Sequence, residues 1–295
     1  MNKTTRNIIL ANIGLAFATL IWGFAFVVVK NSLDLIGPIY LIALRFSVAA
    51  ITSFVLFFKR IDFKDKKTFF HCAYLGALLF LGYGFQTIGC EYTTAGKNAF
   101  LTSAYVLIVP FLSWIISKQR PTLNCIVTAI LGLVGVGLIC LEGESGMNIG
   151  DVLTLVCAVF YAVHIVFLEK HNKTRDPLVM TTLQMISVSV LAWITAPFYD
   201  GALEKQVLLH PDVIISVLYL GLLSTMLAYV LQNSCQKILS ASNASLVMSL
   251  ESVFGAVFAA IFLPNESFTL KMIVGAALLM FAIIFSQIKL KIGVK

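Results

Sequence analysis

Residues Ile8 to Val29 read IILANIGLAFATLIWGFAFVVV, twenty-two residues without a charge. A helix of about 20 apolar residues crosses the hydrocarbon core of a bilayer. Lys3 and Arg6 precede the run, as positive charge precedes the apolar part of a secretory leader. That apolar part is only about 7–15 residues long, and here further apolar runs follow at once. The stretch is therefore read as a retained first span.

Nine more runs of this kind lie downstream. The first half carries spans at about 8–29, 38–58, 69–90, 97–117 and 122–141. The second carries them at about 150–168, 178–198, 213–236, 241–263 and 270–288. The loops between are short and leave no room for a soluble domain. Composition agrees. Of 295 residues, 59% are apolar and 12% are charged, against roughly 25% charged in soluble domains. Mean hydropathy is +0.95. An ordinary soluble enzyme, a disordered chain and a secreted disulfide scaffold are excluded. The fold class is an all-α integral membrane protein with ten transmembrane helices.

The net charge of +7 does not point to nucleic acid. Lys and Arg of membrane proteins collect in cytoplasmic loops. With the N-terminus inside, the inner segments hold sixteen Lys/Arg and the outer loops hold four, Lys30, Lys97, Lys205 and Lys271. This places both termini in the cytoplasm and the protein, multi-pass, in the cytoplasmic membrane. The six cysteines form no CxxC pair. Buried free cysteine behaves as a small hydrophobe, so no disulfide, metal site or cofactor is expected.

The chain repeats itself. Tyr83-Gly-Phe-Gln86 returns as Tyr229-Val-Leu-Gln232, a shift of 146 that also carries Ala95 to Ala241 and Ala129 to Gly275. A shift of 139 carries Pro38 to Pro177, Trp22-Gly23 to Tyr161-Ala162 and Arg45 to Gln184. The longer loop Tyr199–Asp212 supplies the seven extra residues. Residues 1–145 and 146–295 are thus two five-span repeats. An odd number of spans gives the halves opposite orientations. Inverted repeats are a recurring design of secondary transporters, because exchanging the conformations of the halves yields alternating access.

Polar side chains in lipid are costly and usually face the bundle interior. Tyr83, Gln86, Thr87 and Cys90 share one face of span 3, and Tyr229, Gln232, Asn233 and Gln236 one face of span 8. Asn98, Thr102 and Tyr105 share a face of span 4, and Asn243 and Glu251 stand about two turns apart in span 9. His164 follows Tyr161 by a turn in span 6, and Trp22 holds the repeat-related place in span 1. The expected substrate site is a central cavity of Trp22, Tyr83, Gln86, Asn98, Tyr105, Tyr161, His164, Tyr229, Gln232 and Glu251. Each has a structural alternative: helix-to-helix hydrogen bonding for Tyr and Gln, an interfacial belt position for Trp22, a satisfied buried imidazole for His164. Glu251 stands near the middle of its span, where an ionised carboxylate costs about 2.5–3.5 kcal/mol. It reads as a proton-coupling carboxylate, as an anchor for a substrate ammonium, or as a partner of another helix or of Arg45. Arg45 reaches the surface, pairs internally or meets an anionic substrate. Pro110 is expected to interrupt span 4, as prolines do in cavity-lining helices.

Trp22-Gly23-Phe24-Ala25-Phe26, Pro38 with Arg45, Thr94-Ala95-Gly96-Lys97-Asn98-Ala99-Phe100-Leu101 leading to Pro110, and Ser240-Ala241-Ser242-Asn243-Ala244-Ser245 followed by Leu250-Glu251-Ser252 stand in an informative order. Together they resemble the EamA family of the drug/metabolite transporter superfamily, over nearly the whole chain. The resemblance implies a ten-helix inverted-repeat bundle that moves small organic solutes, often by efflux of amino acids or other metabolites. Two departures stand out. The Gly-Glu pair common after spans 4 and 9 reads Lys118-Gln119 and Asn265-Glu266, and the proline common in span 9 is Ser252, which leaves the bending of that span open.

The function expected is a secondary active transporter of a small organic metabolite, an amino acid or related solute, by efflux, with Glu251 holding either a coupling proton or a cationic group of the solute. A passive channel or facilitator is the alternative. A remoter one is an intramembrane serine hydrolase, from Gly143-Glu-Ser-Gly146 with His164 as base. The partners expected are the small-molecule substrate and membrane lipid, with no nucleic acid, in a monomer or homodimer. There is no phosphate-binding glycine loop in the sequence.

Overall fold

The computed structural model describes residues 3–118, 123–140, 147–263, 266 and 269–287. Among these the chain is built of helices and turns, without a strand. In the first half α1 is Lys3–Ser32, α2 Pro38–Phe57, α3 Lys66–Tyr92, α4 Ala95–Thr102, α5 Tyr105–Ser117 and α6 Leu123–Cys140. The second half contains α7 Ile149–Asn172, α8 Pro177–Tyr199, the short α9 Lys205–Leu208, α10 Pro211–Leu218, α11 Ala228–Gln236, α12 Ala241–Met248, α13 Leu250–Phe262 and α14 Leu270–Gln287. Eight helical stretches are long and apolar enough to cross a membrane among the described residues. They match eight of the expected spans. The runs at 122–141 and 270–288 correspond to α6 and α14, each 18 residues long. The chain is a multi-pass membrane protein.

Capping side chains set where the helices start. Asp65, Thr94, Asp176 and Ser240 each accept a backbone N–H of the following turn. Asn148 and Asp151 form a reciprocal capping box at α7. These pairs satisfy donors that a helix start leaves open. Pro38 and Pro177 stand at first positions, where a missing N–H costs nothing.

The helices pack in a regular scheme. α3 lies along α7, α2 along α8, α6 along α14, and α1 along α13 and α11. α4 is wedged against α13 and α7. The outward faces are apolar: Leu10, Ile51, Val55 and Ile115 are all exposed. The interior gathers polar residues, among them Arg45, Asn98, His164, Gln232 and Glu251. This inside-out distribution is the one a lipid solvent selects, since only the bundle interior can satisfy polar groups.

Two spans break, at related places. Span 4 turns at Ser103–Ala104, between α4 and α5, and span 9 turns at Ser249, between α12 and α13. The positions are 146 apart, and the Ser103 hydroxyl lies 3.5 Å from the Ser249 carbonyl oxygen. Pro110 sits inside α5 without ending it, so the interruption expected there lies about two turns upstream. In span 9 the bend needs no proline. Ser249 donates to the Leu246 carbonyl at 2.6 Å and Ser252 to the Ser249 carbonyl at 2.8 Å. Serine hydroxyls bonded back along the chain bend helices in this way.

Span 8 carries a feature that its periodicity does not announce. Residues Tyr219–Leu227 form a π-helical segment between α10 and α11. Segments of this kind are rare and cluster at functional sites.

Candidate functional site

A cavity lies where the kinks, the π segment and the polar faces converge. Its lining includes all ten residues expected from the sequence, together with Arg45, Cys90, Ser224, Met248 and several apolar side chains. The juxtaposition of the ten is a geometric fact.

One wall is aromatic. Trp22 meets Tyr229 edge-on at 5.6 Å, and Tyr83 meets Tyr161 edge-on at 5.7 Å. Tyr83 and Tyr229 stand 6.3 Å apart, joining the four rings into a chain. The ring of Tyr161 fits because Gly82 lacks a Cβ, which would stand 2.5 Å from it. Trp22 is buried and donates from Nε1 to the Ser224 carbonyl at 2.8 Å. It therefore belongs to the interior, not to an interfacial belt.

Gln86 is held from both ends. Its Nε2 donates to Thr102 at 3.1 Å and its Oε1 accepts from the Tyr161 hydroxyl at 3.0 Å. Asn98 donates through Nδ2 to the Gln86 carbonyl and to Thr154. Its Oδ1 is buried and has no partner among the described residues. An orphaned buried acceptor is costly unless something fills it. His164 pairs through Nε2 with Gln184 Oε1 at 2.8 Å. Gln232 donates to Gln236 at 3.0 Å.

Arg45 neither reaches the surface nor pairs with Glu251. It is buried, donating to Thr225 from Nε and to Ser224 from a terminal nitrogen, both at 3.0 Å. Its guanidinium carbon lies 4.8 Å from the Tyr83 ring centroid. The π segment makes this possible by placing Ser224 and Thr225 against α2. Glu251 occupies the first turn of α13, just beyond the Ser249 bend, with the Tyr105 hydroxyl beside it. A helix N-terminus favours negative charge. The kink thus brings such a terminus into the middle of a span, as in the broken helices of transporters. Among the described residues Glu251 forms no ion pair.

Some expected polar residues stay outside. Asn243 is exposed. Thr87, Asn233 and Gln236 are buried but do not line the cavity, and Asn233 bonds the Tyr229 carbonyl instead. Ser145 of the hydrolase reading lies outside the described residues. Of the cysteines, Cys72, Cys90, Cys157 and Cys235 are buried free thiols, and the side chains of Cys125 and Cys140 lie outside the described set.

The starts of α4 and α12 are tied by groups that sequence reasoning placed in loops or did not single out. Lys97 and Asp151, read as loop or span-end residues, form a buried ion pair at 2.7 Å. The Glu266 carboxylate accepts the N–H groups of Ala95 and Gly96 at the start of α4. Glu169 accepts the N–H of Ala241, at the start of α12, at 3.0 Å. The Thr94–Gly96 and Ser240–Ser242 stretches were legible as related motifs, but nothing local marks their distant carboxylate partners.

Kinked spans around a polar, aromatic interior define a polytopic membrane transporter. The sequence matches the EamA-like transporter family over residues 9–141 and again over 148–287. The chain belongs to that family. An uncharacterized transporter of Archaeoglobus fulgidus is 34% identical over 95% of this chain and 86% of its own. The uncharacterized transporter YoaV of Bacillus subtilis is 25% identical, covering 90% of this chain and 93% of its own. A solved crystal structure superposes with a TM-score of 0.71 over 94% of this chain and 96% of that one, at 14% identity. That likeness speaks for the fold alone.

Proposed function

We propose that the protein is a secondary active transporter of the cytoplasmic membrane that moves a zwitterionic metabolite, an amino acid or close relative, outward by alternating access. In this reading ten spans form two inverted five-helix repeats with both termini in the cytoplasm. Exchange of the halves maps contact onto contact: by the shifts of 139 and 146, the ring pair Trp22–Tyr229 becomes Tyr161–Tyr83, and both pairs are edge-on at nearly equal distance. The Lys/Arg distribution supports the orientation.

The observation that carries the substrate class is the presence of Arg45 and Glu251 in one cavity, not paired with each other. A buried guanidinium recognises a carboxylate. Glu251 and the orphaned Asn98 Oδ1 offer acceptors to an ammonium, and tyrosine faces attract cations. A solute carrying both charges satisfies both ends. The cavity volume is about 60 Å³, small beside the roughly 300–1,000 Å³ of ligand pockets. A solute of metabolite size therefore enters only as the lining helices part, which suits a carrier better than an open channel. Glu251 then holds either the ammonium or a coupling proton.

The test is counterflow in proteoliposomes with three matched solutes: an amino acid, its decarboxylated amine and its deaminated acid. Counterflow by the zwitterion alone is expected. Equal counterflow by the amine or the acid refutes the two-ended reading. Flux without counterflow favours the channel.

A further inference from the structure

A second cavity lies far from the polar centre, where α2, α3 and α8 meet at the end of the bundle that carries residues 59–68. It holds about 370 Å³ and is walled by Phe54, Ile61, Phe63, Phe69, Phe70 and Leu183. Phe63 and Phe70 are well exposed beside it. Its one hydroxyl, on Ser187, is spent on the Leu183 carbonyl. Nothing in this groove recognises a polar solute.

Its rim is the opposite. Lys59, Arg60, Lys64, Lys66 and Lys67 stand within nine residues, all exposed. The carboxylates beside them are Asp62, Asp65 and Asp176, so five cations outnumber three anions. Asp62 accepts the Lys64 backbone N–H, Asp65 caps Thr68, and Asp176 pairs with Arg60 at 3.2 Å. The four lysines form no ion pair among the described residues. Because α2 ends and α3 begins here, this loop marks headgroup depth, and the groove descends from it between the helices.

We propose that this groove is a binding site for one anionic phospholipid, an acyl chain lying along the phenylalanines and the phosphate resting on Lys59, Lys64, Lys66 and Lys67. Charge complementarity selects the lipid. Each lysine near an anionic headgroup strengthens binding about fivefold, whereas a zwitterionic phosphatidylcholine carries no net charge to attract. The site is separate from the central cavity and does not depend on what that cavity carries.

The test is native mass spectrometry of the purified chain incubated with equimolar phosphatidylglycerol and phosphatidylcholine. Wild type should retain one phosphatidylglycerol with at least fivefold preference. Replacing the four lysines by glutamine should bring that preference to near unity. The single change Ala73→Trp, an exposed residue lining the groove, should expel the lipid while the lysines remain. Circular dichroism and thermal unfolding report whether each variant is folded, and the lysine variant alters only exposed side chains. Equal retention of both lipids by wild type overturns the proposal, as does undiminished preference in the lysine variant or an undisplaced lipid in a folded Ala73→Trp.

Discussion

The ion pair between Lys97 and Asp151 should couple the two halves of the chain energetically. Asp151 is fully buried and the Lys97 side chain is 9% exposed. Beside the ammonium at 2.7 Å, Asp151 accepts two further hydrogen bonds, from the Thr93 hydroxyl at 3.0 Å and the Asn148 N–H at 3.1 Å. Lys97→Met leaves a buried carboxylate with two neutral donors and no cation. Breaking a buried pair from one side costs about 3–5 kcal/mol. At roughly 2 °C per kcal/mol for a chain of this size, unfolding should fall by roughly 6–10 °C. Asp151→Asn keeps an amide oxygen for Thr93 or Asn148 but strands the buried Lys97 ammonium, so it should also cost about 3–5 kcal/mol. The double variant removes both charges, so it should be more stable than the sum of the singles, with a coupling of at least about 2 kcal/mol. The assay is thermal unfolding of all four proteins in one detergent. A Lys97→Met protein within 2 °C of wild type, or strictly additive losses, would refute the reasoning.

Other outcomes follow from single groups. Glu251→Gln should remove the pH dependence of transport while leaving the fold intact, and a wild-type pH profile in that variant excludes the proton role. Arg45→Gln should weaken substrate affinity by about 10- to 150-fold, the range for a charged hydrogen bond of about 1.5–3 kcal/mol, with ligand-induced thermal shift as the readout. Burial holds the Asp200 carboxyl above its ordinary value of 3.8, against the lowering effect of the Tyr40 and Ile39 N–H groups. The folded chain therefore binds that proton more tightly than the unfolded one. Its contribution to stability is full below the ordinary carboxylate value and is lost as pH rises through the folded value. Asp200→Asn should flatten this dependence, and unfolding curves of both proteins across mildly acidic to neutral pH decide it. Lys118 adopts φ 59 at the end of α5, a left-handed conformation that costs a non-glycine residue roughly 1–2 kcal/mol. Lys118→Gly should raise the unfolding temperature by a few degrees, and no rise would mean that the lysine side chain compensates.

The fold was legible where physics acts locally. A bilayer demands apolar runs of fixed length, and those runs stand in the sequence. It also forces polar side chains inward, so the stripes Tyr83–Gln86 and Tyr229–Gln232 announced a common interior. The rest was hidden because it depends on contacts distant in sequence. Pro110 marked the wrong turn of span 4, since the bend rests on Ser103 meeting Ser249 from the other half. Nothing in Leu-Ser-Thr-Met signals a π segment, which makes sense only once Arg45 and Trp22 need Ser224 and Thr225. Lys97 and Asp151 looked like loop residues because each lies at a span end. Only their pairing lets them be buried. Lys118, conspicuous as a departure from a common glycine, proved to occupy a positive-φ position, so the sequence anomaly had a backbone meaning.

The proposed inversion also bears on how such a cavity discriminates. Shifts of 139 and 146 carry Trp22 to Tyr161, Tyr83 to Tyr229 and Gln86 to Gln232, which gives the walls a near two-fold character. A cavity of that symmetry presents the same surface to either end of a solute. Among the positions that break it, two carry charge. The shift of 146 carries Tyr105 to Glu251, and the shift of 139 carries Arg45 to Gln184. Tyr105 and Glu251 face each other beside the two kinks, so under the proposed inversion the acid would stand close to the two-fold axis, while Arg45, bonded to Ser224 and Thr225 rather than to its counterpart Gln184, would stand to one side of it. One acid near the axis and one base off it give the cavity a polarity that its rings lack. Exchange of the halves would leave Glu251 nearly in place and change the surroundings of Arg45. On this reasoning the ammonium contact persists through the transport cycle, and the carboxylate contact is the one that is made and released. Arg45 variants should therefore alter affinity differently on the two sides of the membrane, and Glu251 variants should alter it alike on both. Sidedness of apparent affinity in oriented vesicles measures the difference, and an equal loss on both faces for Arg45→Gln would place the guanidinium on the axis as well.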